Sequence, residues 1–212
     1  MPLELRPATE EDAPRAAEIE ALAYAPSAFN PVLFPGPLPP DAKETRAAQL
    51  IQQLREDATM RWLKVVDTDL EGEPTVSFAR WHVYAEKPPP ATPRIFGPGS
   101  NPQACEMLFG GIDELRSRLM GEKPYVYLKL LQTDPKHQGR GAGAMLVKWG
   151  VEEAKRLGLP AYLESSEAGH SLYQKCGFRD LELQSLDFSK WGATRKLNTW
   201  AMIYEPQFKV GE

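Results

Sequence analysis

The sequence has 212 residues, of which 42% are hydrophobic, with 25 Lys and Arg against 29 Asp and Glu and a formal net charge of −4. This length suits one domain or one domain with insertions, and the composition is that of an ordinary globular protein. The charge balance excludes an overall basic footprint for nucleic acid, and no stretch approaches the roughly 20 apolar residues of a membrane span.

The cysteine content and the first residues bear on compartment and metal binding. Cys105 and Cys176 are far apart and form no CxxC pair. Together with three histidines, they give neither a disulfide framework nor the ligand spacing of a metal site. The opening stretch MPLELRPATEED lacks the basic and then apolar pattern of a signal peptide. We therefore expect a cytoplasmic protein without a metal, a nucleic-acid partner or a membrane partner.

The first half of the chain alternates predicted strands and helices with a proline-rich segment. Apolar and polar residues alternate over Leu3–Ala8, which predicts a half-buried strand, and Thr9 is placed to cap the helix that follows. Residues 25–40 contain six prolines, which predict a rigid loop without regular helix. The next patterns predict a helix over 41–57 and then two hairpin-joined strands over 60–69 and 73–85.

The second half begins with a further proline-dense segment over residues 86–102. Later patterns predict a helix over 102–121, a strand over 125–133, a helix over 144–158, a strand over 161–166, a short helix over 168–176 and strands over 179–188 and 198–206. The resulting order is β-α-α-β-β-α-β-α-β-α-β-β. It predicts a single mixed α/β domain over 1–212, with insertions at about 25–40 and 86–102.

A glycine-rich, basic loop joins the strand over 125–133 to the helix that follows. It contains Gly139, Arg140, Gly141 and Gly143. The first turn of a helix has backbone N–H groups without intrahelical partners, and glycine lets a bulky anion approach them, so the pattern favours phosphate or pyrophosphate. It is neither the P-loop pattern GxxxxGK[ST] nor the dinucleotide pattern GxGxxG. A glycine-rich turn without a ligand is the alternative interpretation of the loop alone.

Two motifs together resemble a known family. The stretch QGRGAG, from Gln138 to Gly143, matches Q/R-x-x-G-x-G/A, the acetyl-CoA pyrophosphate motif of the GNAT superfamily of N-acetyltransferases. About 20 residues later, YLESSEAGHSLYQKCGF is similar to the superfamily's next strand and its short helix with the ending Y-x-K-x-G-F. The resemblance covers Tyr125–Phe178 firmly, and LELRPATEEDAPRAAEI is similar to a GNAT opening. It implies an α/β acyl-CoA N-acyltransferase fold, whose mixed, mostly antiparallel sheet is splayed at the CoA site with helices on both faces.

The resemblance also implies acetyl-CoA as co-substrate and a set of residues that bind it. The pantetheine amides would pair with the edge of the strand at Leu130, Leu131, Gln132 and Thr133, where a backbone N–H near Leu131 or Gln132 would stabilise the oxyanion. The pyrophosphate would meet Gln138, Gly139, Arg140, Gly141, Ala142 and Gly143. Ser171 would contact CoA or only hydrogen-bond its own backbone.

Direct transfer from acetyl-CoA to an amine needs an acid and a base. Tyr173 matches the family's tyrosine that protonates the departing thiolate, although a tyrosine here can also serve only in packing. The family's strand glutamate has no counterpart in YVYLKLLQT. Glu164 on the neighbouring strand and His82 on the strand FARWHVYA are candidate bases, and a water relay is a third possibility. Both residues could instead have purely structural roles, such as an ion pair of Glu164 with Lys129.

The sequence leaves the acceptor and the assembly open. The expected acceptor is a small-molecule or peptide amine, and the proline-rich insertions with their apolar residues are expected to shape its pocket. The sequence is compatible with both a monomer and a homodimer. The main alternative is a non-catalytic acyl-CoA-binding sensor or scaffold of the same fold. A nucleotide-phosphate binder of another fold is a weaker one, because the lysine and hydroxyl pair of a P-loop is absent.

Overall fold

A computed structural model of the chain describes residues 2–90 and 94–206 and contains one seven-stranded sheet in the order β1-β2-β3-β4-β5-β7-β6. The strand pairs are antiparallel except for β4 and β5, which run parallel. The strands are β1 (Leu3–Pro7), β2 (Met60–Asp67), β3 (Thr75–Tyr84), β4 (Tyr125–Thr133), β5 (Ala161–Ser166), β6 (Arg179–Leu186) and β7 (Leu197–Tyr204). The predicted mixed, mostly antiparallel sheet is confirmed.

The helices connect these strands in the predicted order. They are α1 (Ala13–Tyr24), α2 (Asn30–Leu33), α3 (Ala42–Glu56), α4 (Pro102–Cys105), α5 (Gly111–Met120), α6 (Ala142–Leu157) and α7 (His170–Lys175). A π-helical turn, Glu106–Gly110, joins α4 to α5. The predicted helix over 102–121 is therefore continuous, with a π-helical turn in its middle. Before α1, the Thr9 backbone N–H donates to the Asp12 carboxylate at 2.8 Å, which supports the predicted cap.

One face of the sheet is covered by α6, and this face is apolar. Leu146, Gly150 and Ala154 of α6 are buried, as their helical spacing predicts. They pack on a cluster that includes Trp81 of β3 and Val126 of β4. Gly150 is required for this contact, because a Cβ atom there would lie 2.1 Å from the Trp81 ring. The helix and the sheet therefore meet at close range.

The opposite face is covered by α1 and α3 at one side and by α5 at the other. Phe78 of β3 packs with α1 and α3. Tyr125 and Tyr127 of β4 pack with α5. Because neighbouring residues of a strand point to opposite faces, these side chains alternate with those that meet α6. Helices therefore lie on both faces, as expected.

The two proline-rich segments form a satellite core at the end of the sheet. Phe29 is 6% exposed and packs against Phe188, while Phe96 joins the same cluster. The prediction that residues 25–40 contain no regular helix was wrong, because α2 forms within them. Pro31 lies in the first turn of α2, where its missing N–H costs no intrahelical bond. Residues 91–93 of the second insertion lie outside the described residues.

No helix in residues 2–90 and 94–206 is long and apolar enough to cross a membrane.

Candidate active site

The sheet opens between its two central parallel strands. β4 and β5 are paired only at Val126↔Ala161, Tyr127↔Tyr162 and Leu128↔Leu163. Beyond these pairs β4 continues to Thr133 alongside β3, whereas β5 continues alongside β7. The edge of β4 from Lys129 onward therefore faces a cleft. Backbone groups along this edge can pair with an extended ligand in the manner of an added strand.

The glycine loop lies at the far end of this cleft and begins α6. Gly139 and Gly141 have φ values of +74° and +95°, a region that favours glycine. Gly141 caps the helix without a side-chain hydrogen bond, so the first-turn amides of α6 are left for a ligand. A Cβ atom on Gly143 would lie 3.2 Å from Leu172 of α7 and 3.5 Å from Leu131 of β4. The loop, β4 and α7 thus converge at one place.

Two buried carboxylates fix the loop to the sheet. Asp67 at the end of β2 is 1% exposed and accepts a hydrogen bond from Arg140. The guanidinium of Arg140 lowers the pKa of Asp67. Asp134 accepts from Arg15 of α1 at 2.6 Å and from the backbone N–H of Lys136 at 3.0 Å. The Arg140 side chain therefore ties the loop to the end of β2, and its role at the pyrophosphate stays a prediction.

The other residues predicted to bind CoA lie along the same cleft. Leu130, Leu131 and Thr133 are half-buried on β4, and Gln132 is 4% exposed. The loop residue Gln138 is exposed, and its side-chain amide approaches the Thr133 carbonyl at 3.4 Å, whereas Ala142 is buried in the first turn of α6. Ser171 is exposed in the first turn of α7. The structure brings the glycine loop, the end of β4 and α7 together, and their role in binding stays a prediction.

Tyr173 lies on α7, beside the cleft. Its ring packs edge-on against Phe178, with the ring centroids 6.2 Å apart, and the residue is 8% exposed. A Cβ atom on Gly169 would come within 2.8 Å of the Tyr173 ring, so the glycine sets the position of the ring. Burial raises the pKa of Tyr173, which keeps its hydroxyl protonated at neutral pH. The residue can therefore donate a proton but not readily accept one.

Glu164 is the first residue of β5 beyond the last pair with β4. The Tyr127 hydroxyl donates to one of its carboxylate oxygens at 2.8 Å, and Arg116 of α5 lies 3.4 Å from the other. Its side chain is 5% exposed. Burial raises its pKa to about 7, against the opposing effect of Arg116. A pKa near neutrality suits a general base. The predicted ion pair with Lys129 was wrong, since Arg116 takes that place.

His82, the other candidate base, is buried on β3. It is 4% exposed, and its Nδ1 lies 3.2 Å from the Thr59 hydroxyl and 3.1 Å from the Asp57 carboxylate. Burial and then the charges of Lys129 and Arg80 lower its pKa to about 3. Its imidazole is therefore neutral but weakly basic at pH 7, which favours Glu164 of the two candidates.

A cavity of about 220 Å³ opens on the face opposite α6, between α3 and the sheet. Gln53, Glu56, Asp57, Met60, Arg80, His82 and Lys129 line it. Arg80 is 7% exposed, and Lys129 lies at an irregularity of β4, where the β3 register skips from Leu130 to Leu128. Partial burial of the ammonium group, followed by the charges of neighbouring arginines, lowers the pKa of Lys129 to about 8.

Four residues of the site were missed from the sequence. Arg80 and Lys129 line the cavity, Arg116 holds Glu164, and Tyr24 at the end of α1 lies near Gln132 and Arg80. Charged residues within strands such as VSFARWHVY and YVYLKLLQT are a signal that could have identified the first two. The sequence offers no such signal for Arg116 and Tyr24.

Among residues 2–90 and 94–206, no group of three or more His, Cys, Asp or Glu side chains is placed to hold a metal ion.

Comparison with known proteins agrees with this geometry. Residues 105–178 match the model of the acetyltransferase (GNAT) family. A stretch of 42 residues is 45% identical to the protein named probable acyltransferase SID5 of Ajellomyces capsulatus, and covers 20% of this chain but only 31% of that protein.

Solved structures extend the likeness to the whole chain. The histone acetyltransferase HPA2 and related acetyltransferase of Corynebacterium glutamicum is 19% identical, with 100% of both chains covered and a TM-score of 0.63. The protein yncA of Salmonella typhimurium, solved with its cofactor acetyl-CoA, is 17% identical, with 100% and 98% covered and a TM-score of 0.59. Residues 105–178 therefore match the GNAT acetyltransferase family, and the chain as a whole shares the fold of these solved structures.

Proposed function

We propose that this protein is an acetyl-CoA-dependent N-acetyltransferase that moves an acetyl group to an amine by direct attack in a ternary complex. The observation that carries the proposal is the opening of the sheet between β4 and β5, next to the uncapped start of α6 and with Glu164 where the strands part. The likeness to yncA, whose structure holds acetyl-CoA, supports the choice of cofactor.

We infer the direction in which the cofactor would lie along the cleft. Its pyrophosphate would meet the first-turn amides of α6, which carry the positive end of the helix dipole. Its pantetheine arm would run along the free edge of β4 from Thr133 toward Leu131. The thioester would lie near Leu131, in the cleft that Glu164 borders beyond the last β4–β5 pair. No metal is part of the proposed reaction.

The chemical step joins the amine to the acetyl group and releases CoA. The neutral amine nitrogen attacks the thioester carbonyl carbon, and a backbone N–H of β4 near Leu131 or Gln132 would stabilise the oxyanion. The carbon–sulfur bond then breaks. The proton lost from the amine passes to Glu164, directly or through water, and the thiolate takes a proton from Tyr173. The products are an N-acetylated amine and CoA thiol.

The properties of Glu164 favour an enzyme over a non-catalytic acyl-CoA sensor. The Glu164 side chain is 5% exposed and lies where β4 and β5 part, with Tyr127 donating to it and Arg116 nearby. Burying a carboxylate is costly, because its charged form loses solvation. The position of this group at the opening of the cleft supports the enzyme, since an acyl-CoA-binding module does not require it.

The experiment is a free-thiol release assay with acetyl-CoA and a panel of amines, followed by mass spectrometry of the products. The proposal predicts amine-dependent thiol release and a product heavier by one acetyl group, attached to nitrogen. A folded sample that binds acetyl-CoA but releases no thiol with any amine would favour the sensor instead.

A further inference from the structure

The cavity between α3 and the sheet contains buried polar atoms without partners. Within the described ranges, the Arg80 Nε and the His82 Nε2 have no hydrogen-bond partner, and both side chains are more than nine-tenths buried. A buried donor left unpaired is costly, and the Arg80 Nε–H indicates a missing acceptor from a ligand or water.

The wall of the cavity has two cations, Arg80 and Lys129, and two carboxylates, Glu56 and Asp57. The Asp57 carboxylate in the cavity wall is already engaged by the Thr59 hydroxyl at 2.5 Å and by His82 at 3.1 Å. Glu56 accepts from Gln52 on the exposed side of α3. Arg80 donates to the neutral amide of Gln53 and makes no ion pair in the part of the chain that the structure describes.

The charge of Arg80 contributes to a lowered pKa of Lys129, so the two cations lie close enough to repel each other. Burial and then the charge of Arg46 lower the pKa of Arg80. Partial burial and then the charges of Arg80, Arg94 and Arg116 lower that of Lys129. Lys129 is mostly charged at pH 7, because its pKa of about 8 lies above that pH. An anion placed between the two cations would relieve this repulsion and pair the free donor of Arg80.

We infer that the acceptor is a small amine that carries a carboxylate, an amino acid being the simplest case, and that Arg80 and Lys129 bind this carboxylate. Arginine forms paired hydrogen bonds with carboxylates, and the nearby Glu56 and Asp57 disfavour a dianionic phosphate. This inference rests on the proposed acetyl transfer, because it names the substrate class of the same site.

The order of the strands places the cavity and the proposed base on either side of the open edge of β4. Arg80 on β3 pairs with Leu130 on β4, and Glu164 lies on β5 just beyond the last pair with β4. Both side chains project on the face opposite α6. A carboxylate held at Arg80 would therefore leave an amine a few atoms away near Glu164, where the thioester would lie.

The test compares matched acceptors and matched variants. Amino acids and their carboxamides, which differ only in the charge of that group, are assayed for acetyl-CoA turnover with the wild-type protein, Arg80→Met and the control Arg61→Met. Arg61 is on β2, and its side chain donates to the backbone carbonyls of Ala58 and Met60. We expect at least a tenfold higher kcat/KM for the carboxylates, retained in Arg61→Met and lost in Arg80→Met. Equal rates for both acceptor types, or a preference that survives in Arg80→Met, would overturn the inference.

A binding measurement keeps this test separate from the proposed function. Calorimetry with N-acetylated amino acids and with their carboxamides reports carboxylate recognition even when no amine is turned over. Heat that depends on the carboxylate and disappears in Arg80→Met supports the inference, and its absence in the wild-type protein refutes it. Titration of the same samples with acetyl-CoA shows independently whether the cofactor site and the fold are intact.

Discussion

β3 and β4 present an apolar face toward α6 and a charged face on the opposite side. Toward α6, Trp81 and Leu128 form a dry core, and Gly150 lets the helix approach the Trp81 ring closely. Toward the cavity beside α3, the residues adjacent to these two in sequence, Arg80 and Lys129, are charged. The first face gives the sheet its stability, whereas the second holds groups that cost stability and can take part in chemistry.

The strongest test of this difference is Glu164→Gln. We expect kcat/KM to fall by roughly 10² to 10⁴, the usual contribution of a general base. In the wild-type protein, the rate should rise as pH passes upward through about 7, because only the deprotonated Glu164 accepts a proton. The variant should lose this pH dependence. Glu152→Gln, a change on the exposed face of α6, is the matched control. An unchanged rate in Glu164→Gln would exclude Glu164 as the base.

On the apolar face, Gly150→Ala tests the close approach of α6. A methyl group there would lie within 2.1–2.4 Å of three Trp81 ring atoms, so the helix or the ring must move. We expect the free energy of unfolding to fall by about 1–3 kcal/mol, the usual cost of overpacking. Denaturant unfolding is the measurement, with Gly97→Ala as the control, because nothing lies within 4 Å of a Cβ atom at Gly97. Equal stability of the two variants would contradict the packing described.

The position of Tyr173 can be tested without removing its hydroxyl. In Gly169→Ala the new methyl group would come within 2.8 Å of the Tyr173 ring and displace it from the cleft. We expect kcat to fall about tenfold, equivalent to ~1.4 kcal/mol in the barrier, with acetyl-CoA affinity little changed. The backbone at Gly169 has a φ of −89°, which alanine adopts without strain, so folding should be retained. Full activity in this variant would argue against Tyr173 as the acid.

The smallest expected effect on stability belongs to Arg80→Met on the polar face. Replacement of a buried charge by an apolar side chain of similar volume is often neutral or stabilising. We therefore expect the free energy of unfolding to stay within about 1 kcal/mol of the wild-type value, or to rise, while the carboxylate preference is lost. A large loss of stability would instead assign Arg80 to the structure rather than to the ligand.

Much of the fold could be predicted from the sequence, because its signals are local. Alternation in YVYLKLLQT and YLESS, helical spacing after the glycine loop and the loop itself each lie within one short stretch. The contacts that define the site join distant residues. Arg116 and Glu164 are 48 residues apart, and Arg140 and Asp67 are 73 apart. The pattern of one strand could not show which helix would cover Glu164, or that Arg140 would hold the loop.

The proline-rich segments also make contacts that the sequence could not predict, because their partners are distant in the chain. Their apolar residues predicted burial, and Phe29 and Phe96 do join a common cluster. The partner of Phe29 is Phe188, which follows β6 and lies far away in the sequence. Burial was therefore predictable, but its location in a satellite core was not.

The most direct test of the central claim is a calorimetric titration of the purified protein with acetyl-CoA, with ATP and NAD as controls. The open edge of β4 and the uncapped start of α6 predict micromolar binding of acetyl-CoA alone. In Gly141→Val, a β-branched residue would be forced to a φ of +95°, and the affinity should fall at least tenfold. A folded wild-type sample that does not bind acetyl-CoA, or binds ATP equally well, would contradict the account.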